Sequence, residues 1–304
     1  MMEEERIKTN SMKAWLLAAR PKTLSGAAVP VMIGAALAWT DAQLYEGDVF
    51  NWTAALLCLL FSFAMQIDAN LINDFFDFVN GYDDVETRLG PRRACAQGWV
   101  TLDAMKKAIA LTTCLACLIG LPLAWYGGLE MILVGAACVV FAFLYTTFFS
   151  YQGLGDLLVI LFFGLVPVCC TYYVQIHDIT WQVFLASLAC GLVIDALLIV
   201  NNFRDRDNDC LSGKKTLIVR LGPEAGLQLY LGVGVGAMIL GGTFWMNGHM
   251  LATVFPLLYF VLHVFTYLRI KKIYQGKALN SCLGETARNI FVYGLCVAIG
   301  LILM

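Results

Sequence analysis

Charge is scarce in this chain. Asp, Glu, Lys and Arg make up 14% of its 304 residues, while 60% are hydrophobic, a balance that excludes a soluble globular domain. Lys and Arg are missing altogether from every second connecting segment. No Gly-x-x-x-x-Gly-Lys-Ser/Thr loop occurs, which excludes nucleotide binding of that type, and no nucleic-acid partner is expected. The 11 cysteines show neither zinc-type spacing nor a disulfide framework. They read as small packing residues scattered through apolar runs, with Cys169 and Cys170 adjacent. Residues 1–13 are polar and charged, and no small-residue cleavage site follows the first apolar run, so a removed signal peptide is not expected.

What the chain has instead is length after length of apolar sequence. Nine stretches suffice to span a bilayer, at roughly 22–40, 52–72, 107–126, 129–149, 154–175, 181–201, 224–246, 250–268 and 287–304. The expected fold is all-α, a polytopic membrane protein of nine transmembrane helices forming one membrane domain over residues 1–304. The 20 Lys and Arg fall into four groups: Arg6 to Lys22, Arg88 to Lys107, Arg204 to Arg220 and Arg269 to Arg288. Nine spans in series place all four groups on one side. The opposite loops carry Asp41, Glu46, Asp48, Glu130, His177, Asp178 and His249. The positive-inside rule makes the basic side cytoplasmic, with the N-terminus inside.

Two acidic clusters end apolar runs on that same side. The first runs Asn70-Leu71-Ile72-Asn73-Asp74-Phe75-Phe76-Asp77 and is followed by Asp83, Asp84 and Glu86. The second runs Asn201-Asn202-Phe203-Arg204-Asp205-Arg206-Asp207-Asn208-Asp209. Asn70, Asn73, Asp74 and Asp77 share one helical face at i, i+3, i+4 and i+7. Asn202, Asp205 and Asp209 share another, with Asp195 further back in the span. About four spans separate the clusters, which suggests a weak internal repeat and a quasi-twofold bundle whose two helix ends face one cavity. Carboxylates are expensive at a membrane, and a pair of such groups on one surface reads as a joint site.

Mg²⁺ bridging a diphosphate is the fitting occupant, because it takes hard oxygen ligands and shares phosphates. Arg88, Arg92, Arg93, Arg204, Lys214 and Lys215 can meet the phosphate oxygens, Arg bidentately. Neutralising a diphosphate leaving group ionises an allylic C–O bond, and the carbocation then needs a dry, aromatic-lined pocket. Tyr145, Phe148, Phe162, Phe163, Tyr172 and Tyr173 are available, with Tyr145 the catalytic candidate; aromatics in spans also serve plain packing. Arg20 and Lys22, at the start of the first span, can act as membrane-surface anchors. Asp195, in mid-span, can be a buried acid bonded to a neighbouring helix.

These residues resemble a known family, the UbiA superfamily of intramembrane prenyltransferases. Asn73-Asp74-x-x-Asp77 is similar to its first motif and Asp205-x-x-x-Asp209 to its second. Within the superfamily the chain is most similar to the 1,4-dihydroxy-2-naphthoate polyprenyltransferases of menaquinone synthesis. Among the segments that carry that likeness are Ala19-Arg20-Pro21-Lys22-Thr23-Leu24, Arg88-Leu89-Gly90-Pro91-Arg92-Arg93, Gly153-Leu154-Gly155-Asp156, Phe162-Phe163-Gly164, Thr171-Tyr172-Tyr173-Val174-Gln175, Gly213-Lys214-Lys215-Thr216-Leu217 and Val219-Arg220-Leu221-Gly222. The likeness runs from about residue 14 to 225; the last three spans match in hydropathy alone.

The resemblance implies nine helices around a central lipid-accessible cavity. It implies Mg²⁺ held by Asp74, Asp77, Asp83, Asp205 and Asp209, and diphosphate contacts from Asn70, Asn73, Asn202 and the basic residues above. Its reaction is transfer of a polyprenyl group from polyprenyl diphosphate to 1,4-dihydroxy-2-naphthoate with decarboxylation, giving demethylmenaquinone, at a bacterial inner membrane and in contact with its lipids. With an aromatic acid as acceptor, Arg20 or Lys22 can also hold its carboxylate, and Asp195 can touch it. Many members carry a third aspartate four residues after the one matching Asp77; here that position is Gly81, and Asp83 or Asp84 takes the role. Two alternatives stand beside this reading: a 4-hydroxybenzoate polyprenyltransferase of ubiquinone synthesis, and a cation-coupled membrane transporter. Transporters, however, hold their carboxylates near the midplane.

Overall fold

The structure, a computed structural model, describes residues 7–44, 50–83 and 88–303. Among these residues there are no strands, and nine helical spans are long and apolar enough to cross a membrane. They are α1 (Met12–Gln43), α2 (Trp52–Val79), α3 (Leu102–Gly127), α4 (Glu130–Thr147), α5 (Gly155–Ile176), α6 (Trp181–Leu211), α7 (Pro223–Met246), α8 (Met250–Ile273) and α9 (Lys277–Ile302). The chain is therefore an integral membrane protein, as its composition demands. The boundaries differ from the hydropathy reading most at the starts of the first and last spans and at the ends of α2 and α6. Helix starts at Met12 and breaks at Arg20, whose φ is +50°, because a short amphipathic turn carries too little apolar length to register as a span. The last span begins about ten residues early, at Lys277, since Asn280, Glu285 and Arg288 mask its start.

Packing follows the apolar faces. α1 lies against α2, α5 and α9; α6 lies against α5, α7 and α9; α3 and α4 flank α2. Ile33, Tyr172, Val193 and Tyr293 are among the residues of the largest core. Where α5 meets α6, a Cβ on Gly164 would stand 2.6 Å from the Gly191 Cα, so two glycines let the backbones touch. Just before Pro167, α5 widens into an i→i+5 turn over Ile160–Leu165, which absorbs the bond that proline cannot donate. Leu111, Leu115, Leu118 and Leu133 stay exposed on α3 and α4, as a lipid-facing surface requires.

The expected repeat is present in backbone detail. α2 and α6 run about two and nearly three turns beyond their apolar runs, and both end in the same way. Asn80 N–H bonds the Phe76 carbonyl, Gly81 N–H that of Phe78 and Tyr82 N–H that of Asp77. In α6, Ser212 N–H bonds Asn208, Gly213 N–H bonds Cys210 and Lys214 N–H bonds Asp209. Gly81 and Gly213 have φ of +77° and +76°, the left-handed glycine stop of a helix. Gly81, which departs from the family's aspartate, is thus the residue that lets the chain turn and send Asp83 back toward the cavity.

Candidate active site

Two helix ends and one loop enclose a cavity of about 460 Å³. α2 contributes Asn73 and Asp77; the turn after it contributes Tyr82 and Asp83. α6 contributes Asn201, Asn202, Asp205, Asn208 and Asp209, and the loop before α3 contributes Arg88, Leu89 and Arg93. Lys214 and Tyr145 complete the wall. The two acidic clusters, distant in sequence, thus face one space. Asp84 lies outside the described residues.

The positions within each cluster are not equivalent. Asp77 accepts from the Tyr151 hydroxyl at 3.3 Å and from Arg93 Nη2 at 3.3 Å. Arg93 Nε stands 3.4 Å from Asp83, and Arg88 pairs with Asp83 while its Nε bonds the Pro91 carbonyl at 2.7 Å. Arg93 Nη1 is buried without a hydrogen-bond partner, a donor aimed at nothing in the protein. Lys214 Nζ lies 3.8 Å from Asp209 and over the rings of Tyr151 and Tyr82 at 5.1 and 5.5 Å. The turn carrying Tyr151 reaches the cavity because Gly153, at φ +78°, has no Cβ to strike the Lys215 carbonyl.

Several expected ligands sit elsewhere. Asp74 is 1% exposed and off the cavity wall. Its Oδ2 and Oδ1 accept the Ala94 and Cys95 backbone N–H groups at 2.8 and 2.9 Å, so it pins the arginine loop. Asn70 donates to the Ala19 carbonyl at 3.0 Å and to Thr23 Oγ1 at 2.9 Å, tying α2 to the start of α1. Arg204 is 1% exposed and clamps Asp205, through Nε at 2.8 Å and Nη2 at 2.5 Å. Its remaining donors reach Asn201 at 2.6 Å and Asn280 at 2.8 Å, which leaves it no face for phosphate. Arg92, Lys22 and Lys215 are exposed and off the cavity wall. Arg20 Nη2 is buried without a hydrogen-bond partner and lies within electrostatic range of Asp77.

Asp195 is buried, with Oδ1 unpartnered, and stands near Asp156. Asp156, with Tyr145 and Leu198, lines a small annex of about 20 Å³ beside the cavity. Asn201, Asn208, Tyr82, Tyr151 and Asn280 escaped the sequence reading. The amides of the second cluster were in view there, but nothing near Asn280 marked it.

Electrostatics in the loop follow from burial. Desolvation, then the neighbouring Arg20 charge, pushes the Arg88 guanidinium down to about 10, so it stays a cation at neutral pH. Burial, then the Asp77 charge, pushes the Tyr151 phenol above its ordinary range, so it remains a donor. Hard oxygens dominate the acceptors, which suits Mg²⁺ rather than a soft metal. Among the described residues no three His, Cys, Asp or Glu side chains converge to cage an ion. Mg²⁺ needs no such cage, because it keeps waters and binds through one or two carboxylates plus substrate phosphates.

A helical membrane bundle with two acidic helix ends and a basic loop around one cavity defines the class. The chain belongs to the UbiA prenyltransferase family, whose model matches residues 27–297; it is a prenyltransferase, and the transporter alternative falls. Its relatives include a 1,4-dihydroxy-2-naphthoate octaprenyltransferase of Escherichia coli (strain K12), 35% identical over 78% of this chain and 77% of the relative. Another of the same description, from Mycobacterium tuberculosis, is 34% identical over 95% of this chain and 96% of the relative. Among solved structures, the fold is similar to an apo UbiA homolog from Aeropyrum pernix K1, with a TM-score of 0.66 at 16% identity, covering 92% of this chain and 97% of that one. It is also similar to a UbiA homolog from Archaeoglobus fulgidus bound to DMAPP and Mg²⁺, with a TM-score of 0.65 at 14% identity, covering 94% and 99%.

Proposed function

We propose that this protein transfers a polyprenyl group from polyprenyl diphosphate to 1,4-dihydroxy-2-naphthoate, releasing diphosphate and carbon dioxide and giving demethylmenaquinone at the quinol level. The observation that carries the reading is the single cavity in which Asp77, Asp83, Asp205 and Asp209 face Arg88, Arg93 and Lys214, in a chain whose relatives bear that reaction's name.

Asp77 on one helix end and Asp205 or Asp209 on the other would hold Mg²⁺, one or two carboxylates to an ion with water and substrate phosphates as its other ligands, and Asp83 and the amides of Asn73 and Asn202 lie beside them. When bound, Mg²⁺ supplies charge neutralisation to the departing diphosphate. Arg93 Nη1, Arg88 and Lys214 receive the phosphate oxygens, and Tyr151 keeps Asp77 oriented as it does so. Tyr145 and Leu198, at the deeper side, exclude water from the allylic cation until the electron-rich ring attacks it. The ring forms the new C–C bond, and loss of the carboxylate as carbon dioxide restores its aromaticity. The diphosphate lies toward the cytoplasm and the N-terminus is cytoplasmic, at a bacterial inner membrane.

Mass spectrometry of products from purified protein, given Mg²⁺, a polyprenyl diphosphate and each candidate acid, tests the reading. A prenylated, decarboxylated naphthoate product is expected. Exclusive prenylation of 4-hydroxybenzoate, or no prenyl product, would refute it.

A further inference from the structure

We propose that Asn280, at the start of the long helix of α9, is a positioning residue for the diphosphate site, locking the two acidic motifs to one another. The inference rests on the diphosphate site described above, and it assigns a role to a helix that carried no recognisable motif.

One carboxamide makes both connections. Asn280 Nδ2 donates to the Leu89 carbonyl at 2.8 Å, and Asn280 Oδ1 accepts from Arg204 Nη1 at 2.8 Å. The orientation of the amide is forced, because a guanidinium can only donate and a carbonyl can only accept. Leu89 sits between Arg88 and the Arg93 end of the arginine loop, so the first bond holds the phosphate-facing cations. Arg204 clamps both oxygens of Asp205, so the second bond fixes the carboxylate of the other motif. Gly90 lies at the junction: a Cβ there would stand 2.7 Å from Arg204 Nη2, so any other residue would have to push the guanidinium aside.

Separate bonds hold the far end of the loop and the acidic turn. Asp74 holds the far end of the loop through Ala94 and Cys95, and Arg88 pairs with Asp83. Removing Asn280 leaves Leu89 as the loop's free point and Arg204 short of one acceptor. Supporting residues of this kind cost about 10- to 100-fold in activity or metal affinity when removed.

Two variants separate the connections. Asn280→Ala deletes both bonds. Asn280→Asp keeps an acceptor for Arg204 but places a carboxylate oxygen against the Leu89 carbonyl, so it breaks the loop bond alone. The measurements are hydrogen exchange of the segment 88–98, with and without Mg²⁺ and geranyl diphosphate, and kcat and KM for donor and acceptor separately. Faster exchange of 88–98 in Asn280→Asp is expected, with unchanged exchange in the middle of α2. A donor kcat/KM about 10-fold or more below wild type at an unchanged acceptor KM is expected too. Should Asn280→Ala not fold, Asn280→Asp decides alone. Wild-type exchange at 88–98, or equal rises in donor and acceptor KM, would overturn the proposal. If the wild-type protein makes no prenyl product, the functional reading fails, while the exchange experiment still decides whether Asn280 holds the loop.

Discussion

Asp74 and Asp77 differ by three positions, yet one accepts backbone N–H groups away from the cavity and the other lines it. A helix advances about 100° per residue, so the polar stripe Asn70, Asn73, Asp74, Asp77 is two edges rather than one. Asn73 and Asp77 form the edge that meets the cavity; Asn70 and Asp74 form the edge that meets α1 and the arginine loop. The periodicity made the stripe legible but could not say which edge a neighbouring loop would cover, since that depends on contacts between residues about 20 apart. The same limit hid the fate of Arg204, a cation in sequence and a buried clamp in the structure. Asp74→Asn should therefore act through stability. It puts an amide N–H against one of two backbone donors, and the loss of a charge-assisted bond costs about 2 kcal/mol. The expected outcome is a lower thermal-unfolding midpoint in detergent together with reduced activity; an unchanged midpoint with abolished turnover would return Asp74 to the chemistry.

The elements that present the site are two long helices ended by identical glycine stops. A residue with a Cβ at left-handed φ costs about 1–2 kcal/mol, and nothing lies within 4 Å of a Cβ on Gly81 or Gly213. Gly81→Ala and Gly213→Ala should each destabilise by about 1 kcal/mol and loosen the placement of Asp83 and Lys214 respectively. Thermal unfolding and donor KM measure the two effects, and a variant matching wild type in both would argue against the stop. In contrast, Gly164→Leu should lower the yield of folded protein sharply, because α5 and α6 would be driven apart where their backbones touch. Size-exclusion profiles in detergent check this, and a wild-type profile would show that the contact is dispensable. Nine spans and the two acidic ends were legible because hydropathy and helical period are local. The break at Arg20 and the true start of α9 were not, because each mixes polar residues into a helix that packing alone sustains.

At the scale of the molecule, the basic loops and both acidic helix ends lie at one end of the bundle, and the proposed topology makes that end cytoplasmic. Single cysteine labels introduced at positions 211 and 92 in a cysteine-free background should react from the cytoplasmic side alone, and labels at 248 and 178 from outside alone. The reverse pattern would overturn the orientation. The donor's tail gains roughly 0.8 kcal/mol per buried methylene and belongs among the apolar walls and the lipid, so donors of several lengths should be accepted at similar rates. A single accepted length would instead indicate a closed pocket.

The central claim is that Asp77 on α2 and Asp205 on α6 serve one diphosphate. Groups that act as a unit show strongly non-additive losses, so turnover of Asp77→Asn, Asp205→Asn and the double variant, measured with saturating Mg²⁺ in the same assay, tests it most directly. Each single variant is expected to lose roughly 100-fold or more, and the double variant to lose little beyond the worse single one. Near-normal turnover in either single variant, or losses that multiply in the double, would contradict a shared site.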